Sequence, residues 1–543
     1  MKNKRTNYRM ILPPLILILI MNGGIYSYSV YVAGSLITIL LIIILHKNNK
    51  TRCVKTELFA GCILIPAVSL ISVFVAIDQG MAWTGFLRAT VFAVWMYYLM
   101  QFTKEERDQA LFCLPVLGAG MVIAGIIAFF IPKLKGVFWM AGRFGGTFQY
   151  SNTCALFCLI CIMIAAEKEK MDKKQFLVFD ILLAGLFLTG SKGGILLLIP
   201  VMMWVFRRKK EFRKNGIIAL GILFAGGIGY GFISGDFQNI ARIYTILKYP
   251  STLFGRLLYM KDALPVMLKK PLGIGYMGYE SIQPVIQTGV YTSRFVHNDW
   301  IQMALDFGWL FVIVLGWILF LQLKNGKQEF FKKAMLVLAA VYSLVEFHLQ
   351  FFFIVMTVAL CLDYNEDKVE VKKKGILREN QIFSFAGTVL FGYFAMASFY
   401  SMSGDYQMAL EMFPYDTVAL EGSLIRQTDK EKAEQMAVEL LGQNAYNSQA
   451  YNILAYAALM DGEYQKALDY KLEVLSIERF NMNEYADFEN MVTVIMEQAS
   501  ESEEVVELCE LGIQRMNEIL EKTKESVSSL AYKLRDKPEF NWD

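Results

Sequence analysis

Tyr28-Ser29-Val30-Tyr31-Val32-Ala33-Gly34-Ser35-Leu36-Ile37-Thr38-Ile39-Leu40-Leu41-Ile42-Ile43-Ile44-Leu45 runs without a charged side chain and stops at His46-Lys47. A helix of that length spans about 27 Å, close to the roughly 30 Å hydrocarbon layer of a bilayer. The same pattern recurs along the chain. Apolar runs fall near 10–22, 58–77, 82–101, 111–131, 150–166, 175–190, 194–206, 216–234, 300–322, 334–345, 347–362 and 383–400, separated by short charged stretches. The run at 10–22 is short and interrupted by Pro13-Pro14. With 55% hydrophobic residues and a mean hydropathy of +0.39, the chain is too apolar for a soluble protein of 543 residues. The fold class expected is all-α, a polytopic membrane protein of about 12–13 transmembrane helices, because only helices or closed barrels satisfy their backbone in lipid. No small-residue cleavage site follows the first run, so it reads as a transmembrane helix rather than a signal peptide.

The net charge of +3 is less informative than its placement. Lys/Arg clusters at 2–9, 47–55, 168–174, 207–214, 324–333 and 368–378 can all be cytoplasmic if the N-terminus is cytoplasmic and 334–362 is a two-helix hairpin. The chain after Tyr400 then lies outside the cell. A single span over 334–362 would instead put Lys372-Lys373-Lys374 outside. The expected location is therefore the cell membrane, with many passes. Cysteines such as Cys154, Cys158 and Cys161 sit inside apolar runs, where they act as small hydrophobes rather than as disulfide partners or zinc ligands.

Two domains are expected: a membrane domain over 1–402 and a polar, acidic, helical domain over 403–543. The second carries Ala450-Tyr451-Asn452-Ile453-Leu454-Ala455, then Ala458, Gly462, Tyr464, Ala467 and Leu468. That is close to the small–large pattern of a tetratricopeptide helix pair, with a weaker copy over Gly404 to Leu441. An ordinary helical bundle is the alternative reading. Between the ninth and tenth spans a loop of about 65 residues, 235–299, is long enough to be functional rather than connecting. It carries Arg242, Lys248, Arg256, Lys261, Lys269, Lys270 and Arg294 against four acidic residues. An outward-facing basic loop suits an anionic ligand, although long loops also tolerate positive charge. Within it, Thr252 to Leu268 reads as an amphipathic interfacial helix. Pro271-Leu272-Gly273-Ile274-Gly275-Tyr276-Met277-Gly278 reads as a turn open to close approach by a ligand.

The residues able to do chemistry cluster at the predicted outer face. His297 lies in Arg294-Phe295-Val296-His297-Asn298-Asp299-Trp300, where the loop meets a helix expected from Trp300 to Leu323. Arg143 heads Arg143-Phe144-Gly145-Gly146-Thr147-Phe148-Gln149-Tyr150-Ser151-Asn152, with the Asn152 amide at the next helix start. Lys192 lies in Thr189-Gly190-Ser191-Lys192-Gly193-Gly194, a tight turn between spans; a charge at that depth is costly unless partnered, or else it snorkels to the interface. Arg143, Lys192 and Arg256 suit a diphosphate, Arg binding phosphate oxygens through paired donors. His297 suits proton abstraction from a hydroxyl. His46 reads as a solvated cap and His348, near Glu346 and Gln350, as a structural polar contact. Asn22 to Tyr28 holds no acid, and Asp78 and Asp236 are isolated, so chemistry without a metal is expected, protein cations taking the ion's part. No cofactor and no nucleic-acid partner are expected.

In order and spacing, Arg143…Gly146-Thr147…Asn152, Thr189-Gly190-Ser191-Lys192-Gly193-Gly194, Gly255-Arg256…Pro271-Leu272-Gly273-Ile274-Gly275 and His297-Asn298-Asp299-Trp300-Ile301-Gln302…Gly308 resemble the motifs of the O-antigen ligase and polymerase family, over roughly 140–345. The resemblance implies an all-helical glycosyltransferase of the GT-C type. Its donor would be an undecaprenyl-diphosphate-linked glycan, used without metal and with inversion, and its acceptor a hydroxyl on a glycan, lipid or protein. It implies that Arg256 and Lys192 hold the diphosphate, that His297 assists acceptor deprotonation or leaving-group binding, and that Asn298, Asn152 and Ser191 support them. The family's turn usually carries Arg where this chain has Lys192, and Lys lacks the planar bidentate fork. A protein O-oligosaccharyltransferase, with the repeats presenting a protein partner, is the nearest alternative. A lipid-linked oligosaccharide flippase is a different class and should place charges near the bilayer midplane; a non-catalytic scaffold would leave Arg256 and His297 without a purpose.

Overall fold

The computed structural model describes residues 8–49, 51–52, 56–167, 172–208, 251–364, 370–371, 374–499 and 502–540. The expected span at 216–234, Asp236, Arg242 and Lys248 lie outside the described residues. The protein is an all-α helical membrane protein whose only strands, among the described residues, are four of two residues each. Three described helical stretches are long and apolar enough to cross a membrane: Ser27–Asn48, Lys104–Phe129 and Ile376–Ser403. The last exposes Ile382, Phe383, Phe385, Val389 and Phe399, a surface for which hydrocarbon rather than water is the natural solvent. Shorter apolar helices cover Tyr8–Ile20, Glu57–Val73, Ser151–Glu167 and Trp309–Lys324. Pro13 and Pro14 do not interrupt the first α-helix, Leu12–Ile20, but stand in its opening turn, where missing N–H groups cost nothing.

The chain divides into two compact units. The first comprises Met1–Pro66, Arg88–Pro250 and Ile313–Ala395. Its centre is the helix Ser151–Glu167, buried along nearly its whole length, with Leu114–Phe129, Lys173–Leu188, Lys192–Arg208 and Phe330–Tyr342 packed around it. A helix apolar on every side belongs at the middle of a bundle. The region 334–362 is two helices, Phe330–Tyr342 and Phe352–Leu360, joined through a short 3-10 turn, His348–Gln350. Buried Arg88 donates to the carbonyls of Gly24, Ile25 and Gln350, at 3.2, 3.2 and 2.8 Å.

The second unit comprises Ala67–Leu87, Ser251–Val312 and Met396–Asp543. The helix expected at 252–268 is present as Ser251–Lys269, followed by Gly278–Ile286. The single helix expected over 300–323 is instead two, Asp299–Phe307 and Trp309–Lys324. Gly308, at φ +85°, breaks the run in a conformation that glycine adopts without a Cβ penalty. The glycine-rich turn is not open to a ligand as expected. A Cβ on Gly273 would lie 2.7 Å from the Gly308 nitrogen and 2.8 Å from the Leu305 carbonyl oxygen. Ile274 N–H donates to Leu305 at 2.6 Å and Trp309 N–H to Pro271 at 2.9 Å. The close approach that glycine permits is made by the chain's own helix end.

From Tyr406 to Ser526 the described residues of the second unit form a succession of seven helices. Ala455, Ala467, Leu475 and Phe488 share one core with Cys509 and Met516; Leu420, Ala437, Ala450 and Leu454 share another. Asp405, Asp416, Asp429, Asn447 and Ser502 cap helix starts by accepting backbone N–H bonds, which supplies partners that the first turn lacks. Asp78, isolated in sequence, is buried here. It accepts from Met81 N–H at 2.9 Å, from the Thr417 hydroxyl at 2.9 Å, and from the Asn444 amide at 3.4 Å.

Candidate functional site

In the first unit, Arg143 lies in a two-residue strand paired with Trp139–Met140. Its Nε donates to the Thr189 carbonyl at 2.9 Å and its Nη2 to Asn152 Oδ1 at 3.2 Å. The Ser191 hydroxyl donates to the same Asn152 oxygen at 2.8 Å. It also lies 2.9 Å from the Tyr342 hydroxyl and accepts from Gly194 N–H at 3.2 Å, so it caps the helix Lys192–Arg208. Three expected residues, Arg143, Asn152 and Ser191, thus form one connected set around the turn that carries Lys192. Lys192 is the first residue of its helix. Both its ammonium and the helix's positive N-terminal end favour an anion there.

This set continues into residues that the sequence reading did not select. Glu346, almost wholly buried, accepts from the Tyr150 hydroxyl at 2.7 Å and from the Asn152 amide. Thr153 Oγ1 lies 3.0 Å from His348 Nδ1, and the His348 ring meets the Tyr342 ring edge-on at 4.3 Å between centroids. His348 is fully buried, in keeping with the structural role expected of it. Glu346 lies 194 residues from Asn152 and Tyr342 lies 151 from Ser191, beyond the reach of local sequence pattern.

In the second unit, His297 sits between a buried residue, Val296, and a helix cap, Asn298. Asn298 Oδ1 accepts from Trp300 N–H at 3.0 Å and Ile301 N–H at 3.1 Å, so its oxygen serves the helix start. Gln302 Oε1 accepts from Val296 N–H at 3.0 Å, and Gln302 Nε2 donates to Asp306 at 2.9 Å. Held on both sides, His297 takes φ +57°, a left-handed conformation that costs an L-residue about 1–2 kcal/mol. Such local strain clusters at functional sites, where surrounding structure enforces it.

The His297 ring faces Tyr259, 5.8 Å between centroids. Tyr259 lies one helical turn after Arg256 on Ser251–Lys269. Burial raises the Tyr259 phenol above its ordinary value, while the Arg256 charge pulls it back. Tyr259 also packs against Tyr291 at 4.4 Å. The Tyr291 hydroxyl donates to Asp262 at 2.9 Å, and Asp262 further accepts from Thr288 N–H at 2.8 Å and the Thr288 hydroxyl at 2.7 Å. Burial raises the Asp262 carboxyl. Arg256 and His297 are thus each neighbours of Tyr259, the first through its charge and the second through its ring. The spacing Arg256-x-x-Tyr259-x-x-Asp262 along one helix is the local sequence signal for this arrangement. Arg294 is exposed and paired with Glu280 at 3.2 Å.

The O-antigen ligase family model matches residues 177–321, a stretch that contains Lys192, Arg256 and His297. At the level of the family that match indicates glycan transfer in a membrane. No curated protein and no solved structure matches the chain.

Proposed function

With residues 177–321 matching the O-antigen ligase family as premise, we propose that this protein transfers a glycan from an undecaprenyl-diphosphate carrier to an acceptor hydroxyl at the outer face of the cell membrane. The acceptor oxygen attacks the anomeric carbon. The anomeric C–O bond to the diphosphate breaks, and undecaprenyl diphosphate leaves with the bonding electron pair. His297 takes the acceptor proton. Arg256 binds the diphosphate through its guanidinium, and Lys192 and Arg143 are the further cations assigned to anion binding, so protein cations rather than a metal offset the charge on the leaving group. Asn298 fixes the helix start beside His297; Asn152 and Ser191 fix the turn beside Lys192. In this reading the membrane domain covers 1–402, and 403–543 is an extracytoplasmic helical-repeat domain.

The observation that carries the proposal is the arrangement of Arg256 and His297 around Tyr259 inside the matched stretch, with His297 in a left-handed backbone. A positioned general base contributes about 10²–10⁴ in rate. The test is reconstitution of the full chain in liposomes with undecaprenyl-diphosphate-linked glycan. Release of undecaprenyl diphosphate should accompany glycan transfer, and both should fall together in Arg256→Ala. Transfer without release, or release that survives in Arg256→Ala at the wild-type rate, would overturn it. The lipid-linked species that accumulates in a deletion strain separates the two transfer modes: a single repeat unit marks a polymerase, a full polymer a ligase.

A further inference from the structure

We infer that the C-terminal helical region braces the loop segment that carries His297, and that Arg479 is the positioning residue at the centre of that brace. What the brace serves rests on the function proposed above; the brace itself stands on contacts within one compact unit.

Arg479 lies between the helices Tyr464–Ile477 and Met482–Ala499, and its carbonyl is held by the Tyr485 hydroxyl at 3.0 Å. Its guanidinium reaches out of the repeats. Nη2 donates to the carbonyls of Val285 and, at 3.2 Å, Gln287. These close the end of the helix Gly278–Ile286, where the last carbonyls lack intrahelical partners. Two residues further on, Ser528 N–H donates to the Thr288 carbonyl at 2.8 Å. Ala531 then lies so close to Gly289 that a Cβ there would be 2.6 Å from its own. Lys261 adds a bond to the Ser528 hydroxyl at 2.8 Å. Residues 285–289 are thus gripped from one side at successive positions by Arg479, Ser528 and Ala531.

On its other side the same bend meets the His297 arrangement. Asp262 holds Thr288 by backbone and hydroxyl and also holds Tyr291. Tyr291 packs on Tyr259, and Tyr259 faces His297. A shift at 285–289 is therefore passed through packed side chains to the imidazole. Such a chain amounts to coupling only when perturbing one end moves the other.

The test uses the full-length protein in nanodiscs and compares Arg479→Ala and Arg479→Lys. Hydrogen exchange over 285–300 should rise about tenfold in Arg479→Ala, and diethyl pyrocarbonate should modify His297 faster, with buried His348 as an unchanged reference. Arg479→Lys, which retains the charge without the fork, should fall between. Exchange over 450–475 should stay at the wild-type rate, showing that the repeats remain folded. In glycan transfer from the undecaprenyl-diphosphate donor, kcat should fall about tenfold with donor KM changed less than twofold, because Arg479 acts through the loop. Unchanged exchange at 285–300 and unchanged His297 labelling in Arg479→Ala overturn the brace. Should Arg479→Ala unfold the repeats, Arg479→Lys decides, with about threefold faster exchange at 285–291 expected and no change refuting. If the wild-type protein transfers no glycan, the proposed function fails while exchange and labelling still judge the brace.

Discussion

Replacing His297 separates what its backbone costs from what its ring does. At φ +57° the residue bears about 1–2 kcal/mol that glycine does not, while glycine's extra chain entropy returns about 0.5–1 kcal/mol. The ring's contact with Tyr259 is worth about 0.5–1.5 kcal/mol. His297→Gly should therefore lie within about 1 kcal/mol of wild type, gaining on strain and losing on packing. His297→Ala keeps the strain, loses the ring and should be about 1 kcal/mol less stable than the glycine variant. His297→Asn tolerates the left-handed region and should be intermediate. All three lose the imidazole and should lose about 10²–10⁴ in transfer rate. Thermal unfolding of the detergent-solubilised chain reads the first axis, and chromatographic measurement of released undecaprenyl diphosphate reads the second. Full turnover in any variant that folds would refute the proton-accepting role. An alanine variant as stable as the glycine variant would refute the strain argument even if activity is lost.

Three further outcomes follow from particular contacts. Ser191→Ala removes a helix cap and leaves polar neighbours at a fully buried position, so unfolding should be easier by about 2–3 kcal/mol; a loss below about 0.5 kcal/mol would show that the network contributes little. Lys192→Arg should maintain or lower the donor KM by adding a bidentate fork, whereas Lys192→Ala should raise it at least tenfold, and an unchanged KM in the alanine variant removes Lys192 from donor binding. Burial pushes Asp78 up to about 6 from an ordinary 3.8, so the folded state holds the proton more tightly than the unfolded chain. Ionised Asp78 then costs stability that builds as pH rises between these values, reaching about 3 kcal/mol above pH 6. The melting temperature should accordingly rise from pH 7 to pH 5 more steeply in wild type than in Asp78→Asn, and equal slopes would refute it.

The helical class was legible because apolar run length is a direct consequence of bilayer thickness. The helix at 251–269 was legible because its apolar period is local. Gly308 was quoted as part of a motif but not as a break, since one glycine in an apolar run is compatible with a continuous helix; its hydrogen bond back to Ala304 and its contact with Pro271 and Leu272 depend on the fold. His297, Arg256 and Lys192 stood out as titratable or charged groups at predicted helix ends. Glu346, Tyr342 and Tyr150 did not, because their value lies in partners far along the chain. Asn298 was chosen for its amide, and a Ser/Thr/Asn/Asp before an apolar helix already announces a cap. Its neighbour Gln302 gave no such local sign: its bond to the Val296 N–H arises only once the turn has formed.

The grip on residues 285–289 also imposes an order in time. Val285 emerges from the ribosome well before Arg479, and Thr288 before Ser528; the last of these partners, Ala531, follows Gly289 by some 240 residues. At about 5–20 residues per second this is a wait of roughly 12–48 s. Until Arg479 is made the bend before His297 has its partners in Ser251–Lys269 alone, and until Ala531 is made its C-terminal partners are incomplete. A growing chain therefore acquires the final setting of its imidazole only once residues 479–531 have been made, later than the apolar segments before them.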